Sequence, residues 1–109
     1  MPELMGVNLL GAELSNFDFS ATAFDDANFY RAKMKRVTML HASAYGGQFR
    51  RTDLTGASLL GTVFNSANFK GAILTGCKIH GIGRTGWEIE EVSCDYVYTN
   101  PLGKGRFPK

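Results

Sequence analysis

Four groups of side chains in this sequence have the types and spacing to do chemistry. The adjacent carboxylates Asp25 and Asp26 are candidates for acid–base work or for holding a cation. The two histidines, His41 and His80, and the two cysteines, Cys77 and Cys94, are possible metal ligands, but zinc takes three or four convergent donors and neither pair has a clustered third. No Gly-x-Ser-x-Gly turn and no Cys–His pairing supports nucleophilic catalysis. The run GKGR, Gly103 to Arg106, lacks the spacing and following helix of a phosphate-binding loop. The fourth group is basic. Arg31, Lys33, Lys35, Arg36, Arg50, Arg51 and Lys70 are seven of the twelve Lys and Arg, and grouped cations attract an acidic protein, a nucleic acid or an anionic surface.

Which of these side chains meet depends on the backbone, and the backbone has an unusual period. A large apolar residue recurs at every fifth position from Leu4 to Ile79, passing through Leu9, Phe29, Phe49, Leu54, Leu59, Phe64, Phe69 and Leu74, with Ala44 the one exception. Two residues earlier stands a small or β-branched residue, as at Ala27, Thr52, Ala57, Thr62 and Ala67, with Phe17 the exception. Two residues later stands a turn former, often Gly. Five helical steps rotate by about 140°, which scatters the large residues around a helix. Five strand steps reverse the face each time. A path that turns a corner every five residues brings every large residue to a common interior, and four sides close a coil of twenty.

Residues twenty apart then stack at about 4.8 Å. Three columns of large residues are Leu9, Phe29, Phe49, Phe69; Leu14, Met34, Leu54, Leu74; and Phe19, Met39, Leu59, Ile79. The fourth, Phe24, Ala44, Phe64, has a hole at Ala44, with the bulky Phe17 one coil away. The expected core is Phe29, Phe49, Phe69, Leu54, Leu59, Phe64 and Leu74. Asn8, Asn28, Gln48 and Asn68 form an outer column, with Glu88 next in step, where stacked amides can hydrogen-bond from coil to coil.

The units ANF at 27–29, TDL at 52–54, ASL at 57–59 and ANF at 67–69 give the chain a resemblance to the bacterial pentapeptide-repeat proteins, whose consensus is Ala, Asp or Asn, Leu or Phe, then two variable residues. The match runs from Leu4 through Ile79. The resemblance implies an all-β fold, a right-handed quadrilateral parallel β-helix of about five coils. Beyond Ile79 the large position falls on Arg84, so an irregular last coil is expected from about residue 80, with a bulge at GIGRTG, Gly81 to Gly86, and Trp87 over the open end. The domain expectation is a β-helix over 1–98 and a basic Pro/Gly-containing tail over 99–109. The closing segment is similar to that of larger bacterial members of the family, which makes the chain a candidate module of a longer protein.

The register sorts the chemical candidates. Asp25, Asp26, His41 and His80 fall on outward positions, and the two cysteines are expected as small reduced core residues. The basic residues gather on two adjacent faces, Arg31 below Arg51 and Arg50 below Lys70. No apolar run approaches the roughly 20 residues of a membrane span, and MPELMGVNLL lacks the basic start and apolar core of a secretory signal, so a cytoplasmic location is expected.

The expected function is therefore non-enzymatic, with no cofactor: a binding or scaffold module presenting its faces to a macromolecular partner. Another protein is the first expectation for that partner, nucleic acid or an anionic surface the alternatives. The short start MPELMG offers no cap, which leaves pairing of two copies through a solenoid end open. The resemblance also implies an alternative, a DNA mimic that engages type II topoisomerases. That role requires strong negative charge, whereas this chain carries a net +2. An accessory domain of a larger bacterial protein or effector is the third reading.

Overall fold

The computed structural model describes residues 3–100 and 106–107. A hydrogen-bonded turn closes nearly every fifth step: the N–H of Ala27 donates to the carbonyl of Phe24 at 2.9 Å and that of Ala32 to Phe29 at 2.9 Å. The third residue of each turn has positive φ, the mark of a type II turn, which favours Gly. Gly56 (φ 71°) and Gly71 (φ 72°) meet that demand directly. Between residues 16 and 41 the position is instead held by Asn16, Ala21, Asp26, Arg31, Arg36 and His41, with φ from 55° to 68°. A non-glycine residue held there costs on the order of 1–3 kcal/mol, so the surrounding hydrogen bonds must hold these corners in place.

Those bonds run between coils. Isolated parallel bridges join residues twenty apart, from Glu3 with Ala23 to Ile73 with Ser93. Around each bridge the bonds alternate in direction: Asn28 N–H donates to Val7 (2.9 Å), and Leu9 N–H to Asn28 (2.7 Å). The chain is therefore a right-handed quadrilateral β-helix whose straight segments are too short to count as strands except at one end. There β1 (Cys77–Lys78) pairs in parallel with β2 (Val97–Tyr98), and β3 (Arg106–Phe107) returns antiparallel onto β2.

Phe29, Phe49, Phe69, Leu54, Leu59, Phe64 and Leu74 are buried. Phe29, Phe49 and Phe69 form a face-to-face stack with ring centroids 4.6 and 4.9 Å apart, and Trp87 closes it edge-on, 5.4 Å from Phe69. Offset and edge arrangements of this kind add roughly 0.5–1.5 kcal/mol per pair beyond area burial. The small inward position has a second use where it is polar. Thr52 Oγ1 donates to the Phe29 carbonyl at 2.6 Å, Thr62 Oγ1 to that of Met39, and Cys77 Sγ to that of Leu54 at 3.0 Å. Each buried donor thus finds a carbonyl in the coil below, which removes the penalty of burying it.

Several sequence expectations are corrected. The sequence leaves open whether Phe17 fills the hole at Ala44; it does not, being 52% exposed and packed on Phe19, ring to ring at 5.7 Å. Phe49 touches Phe64 edge-on at 5.4 Å and lies so close to Gly47 that a Cβ there would meet its ring at 2.6 Å. The segment Gly81 to Gly86 is not bulged. Val63 still bridges Gly83, and Ser66 N–H still donates to Thr85 at 2.9 Å. Arg84 is exposed, its side chain leaving toward solvent instead of entering the interior. The slip comes later. Leu74 N–H pairs with Ser93, nineteen residues on, but Gly76 N–H pairs with Tyr96, twenty on. Cys94 is exposed rather than a core residue. Of the amide column, the Asn28-to-Asn8 bond is formed at 3.3 Å, while Asn8, Asn28 and Asn68 each cap the backbone N–H two residues on. Short local bonds of this kind suit a turn better than a long ladder.

Two outcomes are expected. Phe49→Asp places a charge inside the aromatic stack at a cost of several kcal/mol, and loss of the β-type circular dichroism and of cooperative melting will register it. Burial pushes the Cys77 thiol up to about 12. A folded-state pKa above the unfolded value means stability present below the unfolded pKa and lost as pH rises toward the folded one, at up to ~1.4 kcal/mol per pH unit. Denaturant titrations between pH 9 and 11 should show that loss, and Cys77→Ala should remove its share, since Ala67 and Ala72 already fill the equivalent position in other units.

Candidate functional site

The coil register brings one set of charged residues onto a single corner. Leu10, Tyr30, Arg50 and Lys70 succeed one another along it, and Gly11, Arg31, Arg51 and Gly71 run beside them. Backbone bonds fix the succession: Gly11 N–H to Tyr30 (2.8 Å), Arg31 to Arg50 (3.0 Å), Arg51 to Lys70 (2.9 Å). Arg31 and Arg51 occupy the positive-φ position of their turns, with φ of 59° and 55°. Their side chains are thereby carried on the apex of the corner, stacked one coil apart.

The seven basic residues do not form one uniform patch. Lys33 pairs with Glu13 at 3.1 Å and Lys35 with Asp53 at 3.8 Å. Exposed pairs of this sort contribute about 0–1 kcal/mol to stability, but they cancel local charge. Arg36 is turned down to Asn16, its Nε donating to Oδ1 at 2.9 Å. Among the described residues, Arg31, Arg50, Arg51 and Lys70 have no carboxylate within ion-pair distance. They are the free cations of the corner.

Tyr30 organises them. The guanidinium carbons of Arg31 and Arg50 lie 5.3 and 5.7 Å from its ring centroid, within cation–π range. Asn28 Oδ1 accepts the Tyr30 backbone N–H at 3.0 Å, holding the turn that carries the ring. A hollow of about 340 Å³ opens beside it, lined by Leu10, Asn28, Tyr30, Gln48 and Arg50. A second, of about 470 Å³, lies on the adjoining face between Arg31, Lys33, Lys35 and Arg51, with Glu13 and Asp53 at its edge. Above Lys70 the sign changes, because the fifth coil places Glu88, Glu90 and Glu91 on the same corner. Both the Tyr30 hollow and this reversal could have been found by writing the sequence in rows of twenty, since Leu10, Tyr30, Arg50, Lys70 and Glu90 then fall in one line.

The remaining candidates serve the fold or stand apart. Asp25 Oδ1 accepts the Ser43 hydroxyl and the Tyr45 N–H, joining two coils. Asp26 is exposed and lies over Gly46, where a Cβ would meet its carboxylate. The Ser20 hydroxyl and backbone N–H hold the Asp18 carboxyl below the usual carboxylate range. His41 rests on Gly61, and His80 Nδ1 lies 3.1 Å from the Thr99 carbonyl. The two rings border one hollow, but among the described residues no group of three His, Cys, Asp or Glu could hold a metal ion. No helix among them is long and apolar enough to cross a membrane. Residues 103–105 of GKGR lie outside the described residues.

Comparison with known proteins agrees with this register. A family model described as pentapeptide repeats matches residues 3–39 and 48–81 in eight copies. The unmatched stretch, 40–47, contains Ala44 and Gly47, where the side-chain pattern lapses while the backbone ladder continues. Similar solved structures include a pentapeptide repeat protein from the Arabidopsis thaliana thylakoid lumen (28% identity, TM-score 0.45, 72% of this chain and 62% of that one). HetL of Nostoc sp. PCC 7120, involved in regulating heterocyst differentiation, is 25% identical (TM-score 0.44, 94% of this chain and 54% of that one). Rfr23 of Cyanothece 51142 is 18% identical (TM-score 0.41, 90% of this chain and 91% of that one). The chain thus spans less than two thirds of the length of the first and of HetL. No curated protein sequence matches it.

If the apex arginines serve binding and not folding, Arg51→Ala should leave the unfolding midpoint nearly unchanged, within about 0.5 kcal/mol by chemical denaturation. The substituted alanine inherits the same positive φ, so backbone strain is not altered.

Proposed function

The chain belongs to the pentapeptide-repeat family, and from that premise we propose that it is a non-enzymatic binding module whose cationic corner holds an anion-rich partner, in the first instance another protein. The observation that carries the reading is the set Arg31, Arg50, Arg51 and Lys70, free of carboxylate partners among the described residues and gathered on a rigid corner. A rigid presentation matters because cations already in place lose little side-chain and loop freedom on binding. Clustered charge of one sign also steers an oppositely charged partner and quickens encounter.

The DNA-mimic alternative draws no support from this surface, since such a mimic must repeat the dense negative charge of a duplex and the middle coils here are basic. Membership of a longer protein is compatible with the binding reading, because a solenoid stub can carry its corner into any larger assembly. A second mode of association is favoured by Leu4, Met5 and Phe17, which are exposed at the N-terminal end of the stack. Two copies meeting there would bury them.

The test is affinity capture with mass spectrometry, comparing the native chain with the triple variant Arg31→Glu, Arg50→Glu, Arg51→Glu. A partner retained by the native chain and lost by the variant, with equal melting temperatures for the two, is the expected result. Retention of the same proteins by both abolishes the proposal. Sizing of the two samples reads the end-to-end association independently, since the substituted residues lie away from that end.

A further inference from the structure

The corner offers more than charge. At its foot Leu10 is 58% exposed, and directly above it Tyr30 keeps one side open to the hollow bordered by the amides of Asn28 and Gln48. Apolar and aromatic surface therefore lies immediately below Arg50 and Lys70 on the same line. Coil spacing places Arg50 about 7 Å and Lys70 about 12 Å above the midpoint between Leu10 and Tyr30, close to the spans of two and four residues of an extended peptide, whose side chains at those intervals share one face. The run of cations is short at its other end too. Glu90 follows Lys70, with Glu88 and Glu91 beside it, so a longer train of carboxylates would be repelled. Four free cations over three coils also neutralise few phosphates, which makes the corner a poor track for nucleic acid, and an exposed leucine contributes nothing to backbone phosphate contacts.

We propose that this line binds an extended acidic segment of another protein, whose bulky apolar side chain covers Leu10 and Tyr30 and whose two carboxylates, about two and four residues away on the same face, meet Arg50 and Lys70. The inference rests on the cationic corner being the partner-binding surface and narrows it to one peptide chemistry. The apolar contact sets the register, and the acidic fifth coil sets the length.

Fluorescence anisotropy at low ionic strength tests it with labelled ten-residue peptides of serine and glycine. One carries a leucine with glutamates two and four residues after it, one the same residues in reverse order, one the glutamates alone and one the leucine alone; a single-stranded DNA decamer completes the set. Saturable binding is expected for the complete peptide in one of its two orders. Leu10→Ser, at an exposed site, and Tyr30→Ala should each weaken it about fivefold, and Arg50→Glu should abolish it, with melting temperature as the control for folding. Equal binding of the glutamate-only peptide, or indifference to Leu10→Ser, overturns the inference while leaving a purely electrostatic partner surface intact. Tighter binding of the DNA than of any peptide overturns it as well. If no peptide binds but the triple charge reversal still strips a captured partner, the inference fails and the binding reading stands; if the reversal strips nothing either, both fall.

Discussion

The structure depends on one constraint: the backbone must turn a corner every five residues and still return its hydrogen bonds to the coil before. The turn needs a residue with positive φ, and the chain supplies it with Gly at some corners and with Asn, Ala, Asp, Arg, His, Ser or Glu at others. Strain at most of the latter is tolerable because the corner is held twice, by its own turn bond and by the bond to the next coil, as at Arg31, whose N–H is tied to Arg50. With the corners set, the coil length of twenty follows, and with it the identity of every stacked neighbour.

That stacking explains how so thin a molecule holds together. Its interior is a set of short columns, of which the Phe29, Phe49, Phe69 stack beneath Trp87 is the most regular. Each coil buries its large residues only against the coils next to it, so stability in such a fold accumulates by neighbours. The two ends are consequently different problems. The C-terminal end is managed by Trp87, by the slip near Tyr96 and by the antiparallel return of β3, while the N-terminal end leaves Leu4, Met5 and Phe17 open. Unpaired edges and exposed apolar side chains invite association, which is why that end belongs to any account of oligomeric state.

The surface follows from the same geometry. Residues far apart in sequence, Leu10 and Lys70 among them, share one line because they are multiples of twenty apart, and the charge along that line runs from apolar through cationic to acidic. Ion pairs remove Lys33 and Lys35 from the available charge, and an amide draws Arg36 away. What is left is smaller than the seven-residue patch suggested by counting, but better defined, with Tyr30 at its centre.

A period of five in side-chain size was enough to read the solenoid, its inward columns and the stacking of Arg31 under Arg51, because inside and outside in this fold are set by position alone. Where the local sequence departed from the period, the sequence misled. GIGRTG suggested a bulge, yet the ladder kept its register there, since backbone bonds to the preceding coil outweigh the loss of one inward side chain at Arg84. At Ala44 the period left a vacancy without saying what borders it, and only the structure shows Phe17 turned out onto Phe19 and the Phe49 ring meeting that of Phe64. The periodicity determined which residues are neighbours. Only the tertiary structure decided which neighbours touch, how Lys33 and Lys35 are neutralised and how two arginines come to flank one tyrosine, because side-chain direction depends on the space each coil leaves for the next.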